Sequence, residues 1–477
     1  MRGSRENQGL LSCTQFRPYG TGGAMLWILC LALCSLLTPT RADPGALLRL
    51  GMDILNQVQN AMDESHILEK MAAEAGQNRP GMKPIKGITD LKVKDVLVPV
   101  ITMNFMPGVG VFQCVSTGMT ITGKSFMGGY MEIIVVLNIT ATNRLLQDEE
   151  TGLPMFKSEG CEVILVSVKT NLPSNMLPKM VNKFLDSTLH KVLPGLMCPA
   201  IDAVLVYVNK KWASLNAPMP VGQMGTVQYV LTSVPTTTPS YIQVDFSPVV
   251  QKQKGNTIQL ADNAGGAEFP EDYAEGSSQL LLSAAFLTAE LALLQKSFDV
   301  KVKDTMIGEL PPQTTVTLAG FIPKVAEAYP KLKPLVTQIR INKPPKVTMK
   351  TGKSLLQLHG TLEMFAARRR GKPPVSLFVL ETHFNLKIQY SVHEDRLQMT
   401  TSLDRLLSMS RKSSSIGPFK EKKLTGFITD FLQEAYIPVI NDVLQVGFPL
   451  PDLLDMNYNL AELDITENAL VLNLKLD

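Results

Sequence analysis

The sequence predicts an α+β protein made of two similar halves, each running helix, strand meander, long helix. Three observations predict it. The same order of patterns occurs twice along the 477 residues. The two long helical stretches keep one apolar phase when shifted by 239 positions: Leu185 meets Leu424, Leu189 meets Ile428, Val192 meets Phe431, Leu193 meets Leu432, Ile201 meets Ile440, and Pro199 lands on Pro438. A connector marked by Pro218, Pro220, Pro235 and Pro239 separates the halves. With 45% hydrophobic and 19% charged residues, the composition is that of a chain with a large core, not of a disordered one.

The first 42 residues read as a leader. Leu26 to Leu37 is an apolar or small run, too short to span a bilayer, and Thr40-Arg41-Ala42 is a small-x-small cleavage site. A mature chain starting at Asp43 follows, in an oxidising lumen or outside the cell. The 24 residues before Met25 are either a long n-region or an alternative upstream start. No later run of consecutive apolar residues is long enough to cross a membrane. Without the leader, 42 basic and 42 acidic residues remain, so the mature chain is formally neutral. That balance excludes a generic nucleic-acid binder, which needs a basic footprint.

The elements then follow in order. Leu47, Gly51, Ile54, Leu55, Val58 and Met62 fall on one helical face. From Ile88 to Thr170 the pattern turns to Val-, Ile- and Thr-rich strands: 95–100, 109–115, 119–124, 130–141 and 161–169. In the fourth, Met131, Ile133, Val135, Leu137 and Ile139 share one face, and Asn138 lies on the other. Asn138-Ile139-Thr140 is an N-glycosylation sequon, so Asn138 is a candidate glycan site. A long helix is expected over about 178–205. After the connector, Leu280, Ala284, Leu287, Leu291 and Leu294 form a helix face. Strands are expected at 300–302, 337–341, 346–350, 354–365, 376–391 and 397–403, then a helix over about 424–444 and a closing strand in which Leu470, Leu472, Leu474 and Leu476 alternate.

The candidate chemistry is sparse. Gly118 to Ser125 matches the phosphate-binding Gly-x-x-x-x-Gly-Lys-Ser pattern, but a strand follows where that loop needs a helix. A Gly-Lys turn between strands explains it and its echo at Thr351 to Ser354. The five histidines show no metal spacing, and no Cys-x-x-Cys or nucleophile elbow occurs. No catalytic residue, metal or cofactor is expected. Three cysteines follow the leader, Cys114, Cys161 and Cys198, an odd count that allows one pair plus a free thiol or an intermolecular bond. Charge is segregated: residues 341–423 hold 16 Lys/Arg against 6 Asp/Glu, whereas 424–477 hold one Lys against 9 acids. The basic stretch, with Arg368, Arg369, Arg370 and Lys372, either meets anionic headgroups or pairs with the acidic tail.

The order of elements, with Gly81-Met82-Lys83-Pro84-Ile85-Lys86-Gly87 and the run from Asn182 through Pro199 to Val208, resembles the family of bactericidal/permeability-increasing protein, lipopolysaccharide-binding protein and the palate-lung-nasal epithelium proteins, in particular the BPI-fold-containing family B. The resemblance covers nearly all of residues 25–477. It implies a boomerang of two barrel domains, each a twisted antiparallel sheet with two helices, joined by a central sheet and the Pro-rich connector. The corresponding division is 1–42 (extension and signal peptide), 43–217 (N-terminal domain), 218–278 (connector and central sheet) and 279–477 (C-terminal domain). It implies one disulfide, on the matching Cys161 and Cys198, and a non-enzymatic role holding phospholipid acyl chains in apolar grooves. The expected groove residues are Leu47, Ile54, Leu55, Val58, Leu189, Val192 and Leu196 in the first half, and Leu287, Leu291, Leu294, Ile428, Phe431 and Leu432 in the second. Expected partners are phospholipids, anionic ones included, and membrane surfaces transiently. The alternative is a secreted innate-defence protein that recognises microbial surfaces or partners without internal lipid.

Overall fold

The computed structural model describes residues 45–53, 88–97, 99–125, 129–170, 179–215, 217–231, 233–260, 269, 276–303, 306–368, 372–451 and 456–474. The leader and Ile54, Leu55 and Val58 lie outside them. Ala46–Leu50 is a strand, β1, which corrects the helix expected through Leu47. Five residues are too few to separate a period of 2 from one of 3.6, and both faces of this strand are buried. Leu48 and Leu50 point into the main core, while Leu47 joins a separate cluster with Leu281, Ala469 and Val471. A strand covered on both sides reads as an unbroken apolar run.

The N-half sheet follows as β2 (Ile88–Val96), β3 (Val100–Met106), β4 (Gly110–Ser125), β5 (Tyr130–Gln147) and β6 (Pro154–Thr170). Its order is β2-β4-β5-β6, with β3 also on β4, and every pairing is antiparallel. Met131, Ile133, Val135, Leu137 and Ile139 of β5 face the core, as their alternation requires. The helix Lys179–Ser214 packs against β6. Its stretch Leu189–Ser214 is long and apolar enough to cross a membrane by composition alone, with a mean hydropathy of 1.6. Leu189, Leu193, Met197, Ile201, Val204, Val208 and Trp212 are buried at three- and four-residue spacing, the stripe of a core helix.

The connector supplies β7 (Met219–Val221), β8 (Gly225–Leu231), β9 (Thr236–Thr237), β10 (Ile242–Lys252) and β11 (Thr257–Ile258). Next come β12 (Ser278–Ser283) and the helix Ala284–Leu293. Leu280 thus sits in a strand, not on the helix face expected of it, for the same reason as Leu47: all six residues of β12 are buried.

The C-half sheet is built from β13 (Val300–Val302), β14 (Leu335–Ile341), β15 (Lys346–Lys350), β16 (Lys353–Ala366), β17 (Val375–His393), β18 (Arg396–Ser414) and β19 (Phe448–Pro449). Its order is β13-β14-β16-β17-β18-β19, with β15 on β16. The second long helical stretch is divided. Thr425–Phe431 is α-helical, Leu432–Tyr436 forms a π turn, and Ile437–Leu444 is α-helical again. The amide of Ile437 reaches back five residues to the carbonyl of Leu432. Pro438 follows and has no N–H to offer the preceding turn, so a widened turn there is the expected adjustment. The chain closes with β20 (Glu462–Thr466) and β21 (Ala469–Leu474).

A nine-stranded central sheet, β20-β21-β12-β1-β10-β8-β7 with β9 and β11 on β10, draws on the start of the described chain, the connector and the C-terminal end. Buried apolar residues of all three sheets form one continuous cluster, from Ala46 to Leu474.

Candidate functional site

The sites to be placed are a disulfide, two sets of apolar wall residues, a basic surface and a glycan sequon. In the first half, Cys161 of β6 is bonded to Cys198 of the long helix, with their Cα atoms 6.0 Å apart. A second clamp lies further along. The Asn209 side chain accepts from the Phe156 amide at 2.7 Å and donates to the Phe156 carbonyl at 2.8 Å, taking the place of a neighbouring strand. Trp212 meets the Phe156 ring edge-on at 5.9 Å. The sheet edge is therefore covered by the helix. Leu189 is on the buried stripe. Val192 and Leu196 belong to the same helix, but their side chains lie outside the described set. Cys114 is a free thiol on β4.

In the second half, the helix Ala284–Leu293 opens with Ser283, whose hydroxyl accepts from the Phe286 amide at 3.1 Å. It is buried nearly all round, an apolar helix inside a core rather than along one. Leu287, Leu291 and Leu294 from this side, and Ile428, Phe431 and Leu432 from the divided helix, are each no more than 1% exposed. These six expected wall residues are in side-chain contact with protein on every side.

One functional group was not anticipated. Glu290 lies on the same buried helix, 1% exposed, and neither of its carboxyl oxygens has a hydrogen-bond partner among the described residues. Burial pushes its pKa well above the ordinary carboxyl value, and the charge of Arg396 offsets this only in part. Tyr229 and Tyr390 feel it electrostatically, and both phenols are raised chiefly by their own burial. Tyr229 donates to the Pro449 carbonyl at 3.1 Å, and the Tyr390 hydroxyl lies 2.8 Å from that of Ser354. Arg396 donates to three carbonyls, those of Pro220, Val446 and Gly447, and so ties the connector to the end of the divided helix. A single acid inside Leu287-Thr288-Ala289-Glu290-Leu291-Ala292-Leu293 was the sequence signal for Glu290. Nothing local marked Arg396.

The basic segment is partly neutralised from within. Lys353 pairs with Asp404 at 3.0 Å, Lys412 with Glu381 at 3.3 Å and Arg411 with Glu421 at 3.6 Å. Arg368 and Lys372 are exposed between β16 and β17, and Arg369 and Arg370 lie outside the described residues. The phosphate-loop match at Gly118 to Ser125 is continuous strand: Gly123 pairs with Met131 and Lys124 with Tyr130, so this copy is not the turn expected of it. The echo does turn, at Thr351-Gly352, where Gly352 takes a φ of 72°.

Comparison with known proteins decides the family. The N-terminal domain of the LBP / BPI / CETP family matches residues 46–208, and its C-terminal domain matches residues 285–477. The chain belongs to the LBP / BPI / CETP family. It is 82% identical over 452 residues to BPI fold-containing family B member 6 of Homo sapiens, covering 95% of this chain and 100% of that one. It is 72% identical over 452 residues to the Mus musculus protein of the same name, covering 94% and 100%. BPI fold-containing family B member 4 of Homo sapiens is 32% identical over 401 residues, covering 82% of this chain and 64% of that one. The crystal structure of lipopolysaccharide binding protein aligns with a TM-score of 0.57 at 19% identity, over 91% of this chain and 98% of that one. The two-domain fold of antiparallel sheets and few helices is therefore that of lipopolysaccharide binding protein.

Proposed function

We propose that this chain is a non-enzymatic lipid-binding protein of the secretory pathway, which takes phospholipid acyl chains between helix and sheet in each half. The observation that carries the reading is the continuous apolar interior running through both halves and the central sheet, in a family that includes a lipopolysaccharide binding protein. Each methylene moved from water into such an interior gains about 0.8 kcal/mol. In the second half the tail would lie against Leu287, Leu291, Leu294, Ile428, Phe431 and Leu432. Their near-complete burial means that uptake requires the helices to part from the sheet. In the first half Leu189 would be joined by Val192, Leu196, Ile54, Leu55 and Val58. Leu47, on the other face of the central sheet, drops out of that wall.

Arg368 and Lys372, with Arg369 and Arg370, would meet anionic headgroups. The leader would place the protein outside the cell or in the lumen of the endoplasmic reticulum or Golgi, with a glycan on Asn138. The closed second-half wall favours one rival, a recognition protein that works by its outer surface. Organic extraction and mass spectrometry of protein purified from secretory cells separates the two. Stoichiometric phospholipid supports the lipid carrier, and its absence supports the rival.

A further inference from the structure

The outer face of the N-half sheet carries an aliphatic patch arranged around the sequon. Asn138 on β5 stands opposite Ser116 on β4 and opposite Ile164 on β6. Ser116 in turn stands opposite Val100 on β3, which is 65% exposed. One step along β5 on the same face is Val136, 37% exposed, and beyond it Ile134, 44%. Val166, the bulge residue of β6, is 56% exposed, and Ile164 is 49%. Leu97, 58% exposed, completes the group by lying on Gly118, which faces Val136. A Cβ at Gly118 would come within 2.8 Å of the Leu97 Cδ1, so the glycine makes room for that leucine. Six exposed aliphatic side chains thus surround a single amide. Apolar groups contiguous on a surface mark a face that something covers.

The amide is set for substitution at nitrogen. Its Oδ1 accepts from the Ser116 hydroxyl at 2.8 Å, and Thr140 follows two residues on along the same face. We propose that an N-linked glycan on Asn138 is the cover of this patch, its first sugar rings lying with their C–H faces on Val136, Ile164 and Val166. The inference rests on the lumenal, glycosylated reading given above and adds what the glycan does there. Attachment uses a polyprenyl-diphosphate oligosaccharide. A bond forms between Nδ2 and the sugar C1, the C1–O bond to the diphosphate breaks, the diphosphate leaves with the electron pair, and Nδ2 gives up one proton. Asn138 lies in mid-strand, so the transfer precedes closure of the sheet. A membrane or a second copy fits the patch less well, because either would bury the central amide nitrogen without a partner.

The test uses the full chain secreted by mammalian cells. Peptide mass spectrometry reads occupancy at Asn138. A fluorescent apolar dye and light scattering then compare the native protein with Thr140→Ala, which loses the sequon and keeps the asparagine, and with Thr140→Ser, which keeps the sequon. The expected result is an occupied Asn138, dye binding and self-association raised several-fold in Thr140→Ala, and neither changed in Thr140→Ser. In a Thr140→Ala, Ile164→Lys protein both should return toward the native level. An unoccupied Asn138 overturns the glycosylation reading and this one with it. An occupied Asn138 whose loss leaves dye binding and self-association unchanged overturns the cover alone.

Discussion

His359 and His383 stand directly opposite each other on β16 and β17, with their rings stacked 3.6 Å apart at 22°. Burial holds the pKa of both below the ordinary 6.5, and Lys343 adds to it; His359 is lowered further by His383 itself. The sign follows from proton counting. In the unfolded chain each imidazole takes up a proton near 6.5, whereas the folded pair resists until a lower pH. Stability is therefore full above 6.5 and falls as the pH drops below it toward the folded values. Urea unfolding between pH 7.5 and 5.5 should show a midpoint that declines on acidification, and His359→Gln with His383→Gln should flatten the decline. An equal decline in that double variant would place the acid sensitivity elsewhere.

Glu290 has the opposite sign. Its carboxyl would ionise near 4.5 in the unfolded chain but resists ionisation in the fold, so stability falls as pH rises above 4.5. Removing two unpartnered polar atoms from the core should help more than their hydrogen-bonding capacity is worth. Glu290→Met is expected to stabilise the protein at pH 7 by about 1–3 kcal/mol and to reduce the slope above pH 4.5. Chemical denaturation at pH 5 and 7 measures both. A destabilised variant would mean that the carboxyl has a partner in solution, such as an ordered water.

Which features the sequence revealed depends on how local their cause is. Lys346–Lys350 was readable to the residue, because a hairpin strand with polar flanks shows its period directly. β4 was read as two strands because Ser116-Thr117-Gly118 looks like a turn. In the fold, Ser116 bonds to Asn138, the Thr117 hydroxyl donates to the Leu97 carbonyl at 2.8 Å, and Gly118 receives the Leu97 side chain. None of these partners is local: Asn138 is on β5, and Leu97 follows the end of β2. β1 and β12 were read as helix because burial on both faces erases their alternation. The wall residues of the second half could be found by periodicity, but whether they line a groove or a closed core depends on packing that periodicity does not encode.

The Cys161–Cys198 bond closes a separation of 37 residues. Cross-linking at that span should contribute about 2–5 kcal/mol. Peptide mapping without reduction should recover these two cysteines joined and Cys114 alkylated. Cys161→Ser should lower the thermal midpoint and increase hydrogen exchange around residue 198 in the long helix, with less effect in β16 to β18. A Cys114 adduct to either partner in the native protein would contradict the pairing.

Leu291 gives the sharpest test of the acyl-chain reading, because it is wholly buried on the helix that would have to part from the sheet. Leu291→Ala should cost about 2–5 kcal/mol, the lost transfer energy plus the space left behind. A closed core cannot refill that space, so added lipid would not help. An interior open to acyl chains can refill it, and the lipid's binding energy then adds to the stability of the fold. Leu318 is equally buried, in the short helix Thr315–Ala319, which carries none of the expected wall residues. Leu318→Ala should cost a similar amount and serves as the control. With phospholipid vesicles present, the thermal midpoint of Leu291→Ala should recover more than that of Leu318→Ala or the native protein. Equal responses in all three would exclude acyl chains from this interior and move the search for function to the outer surface.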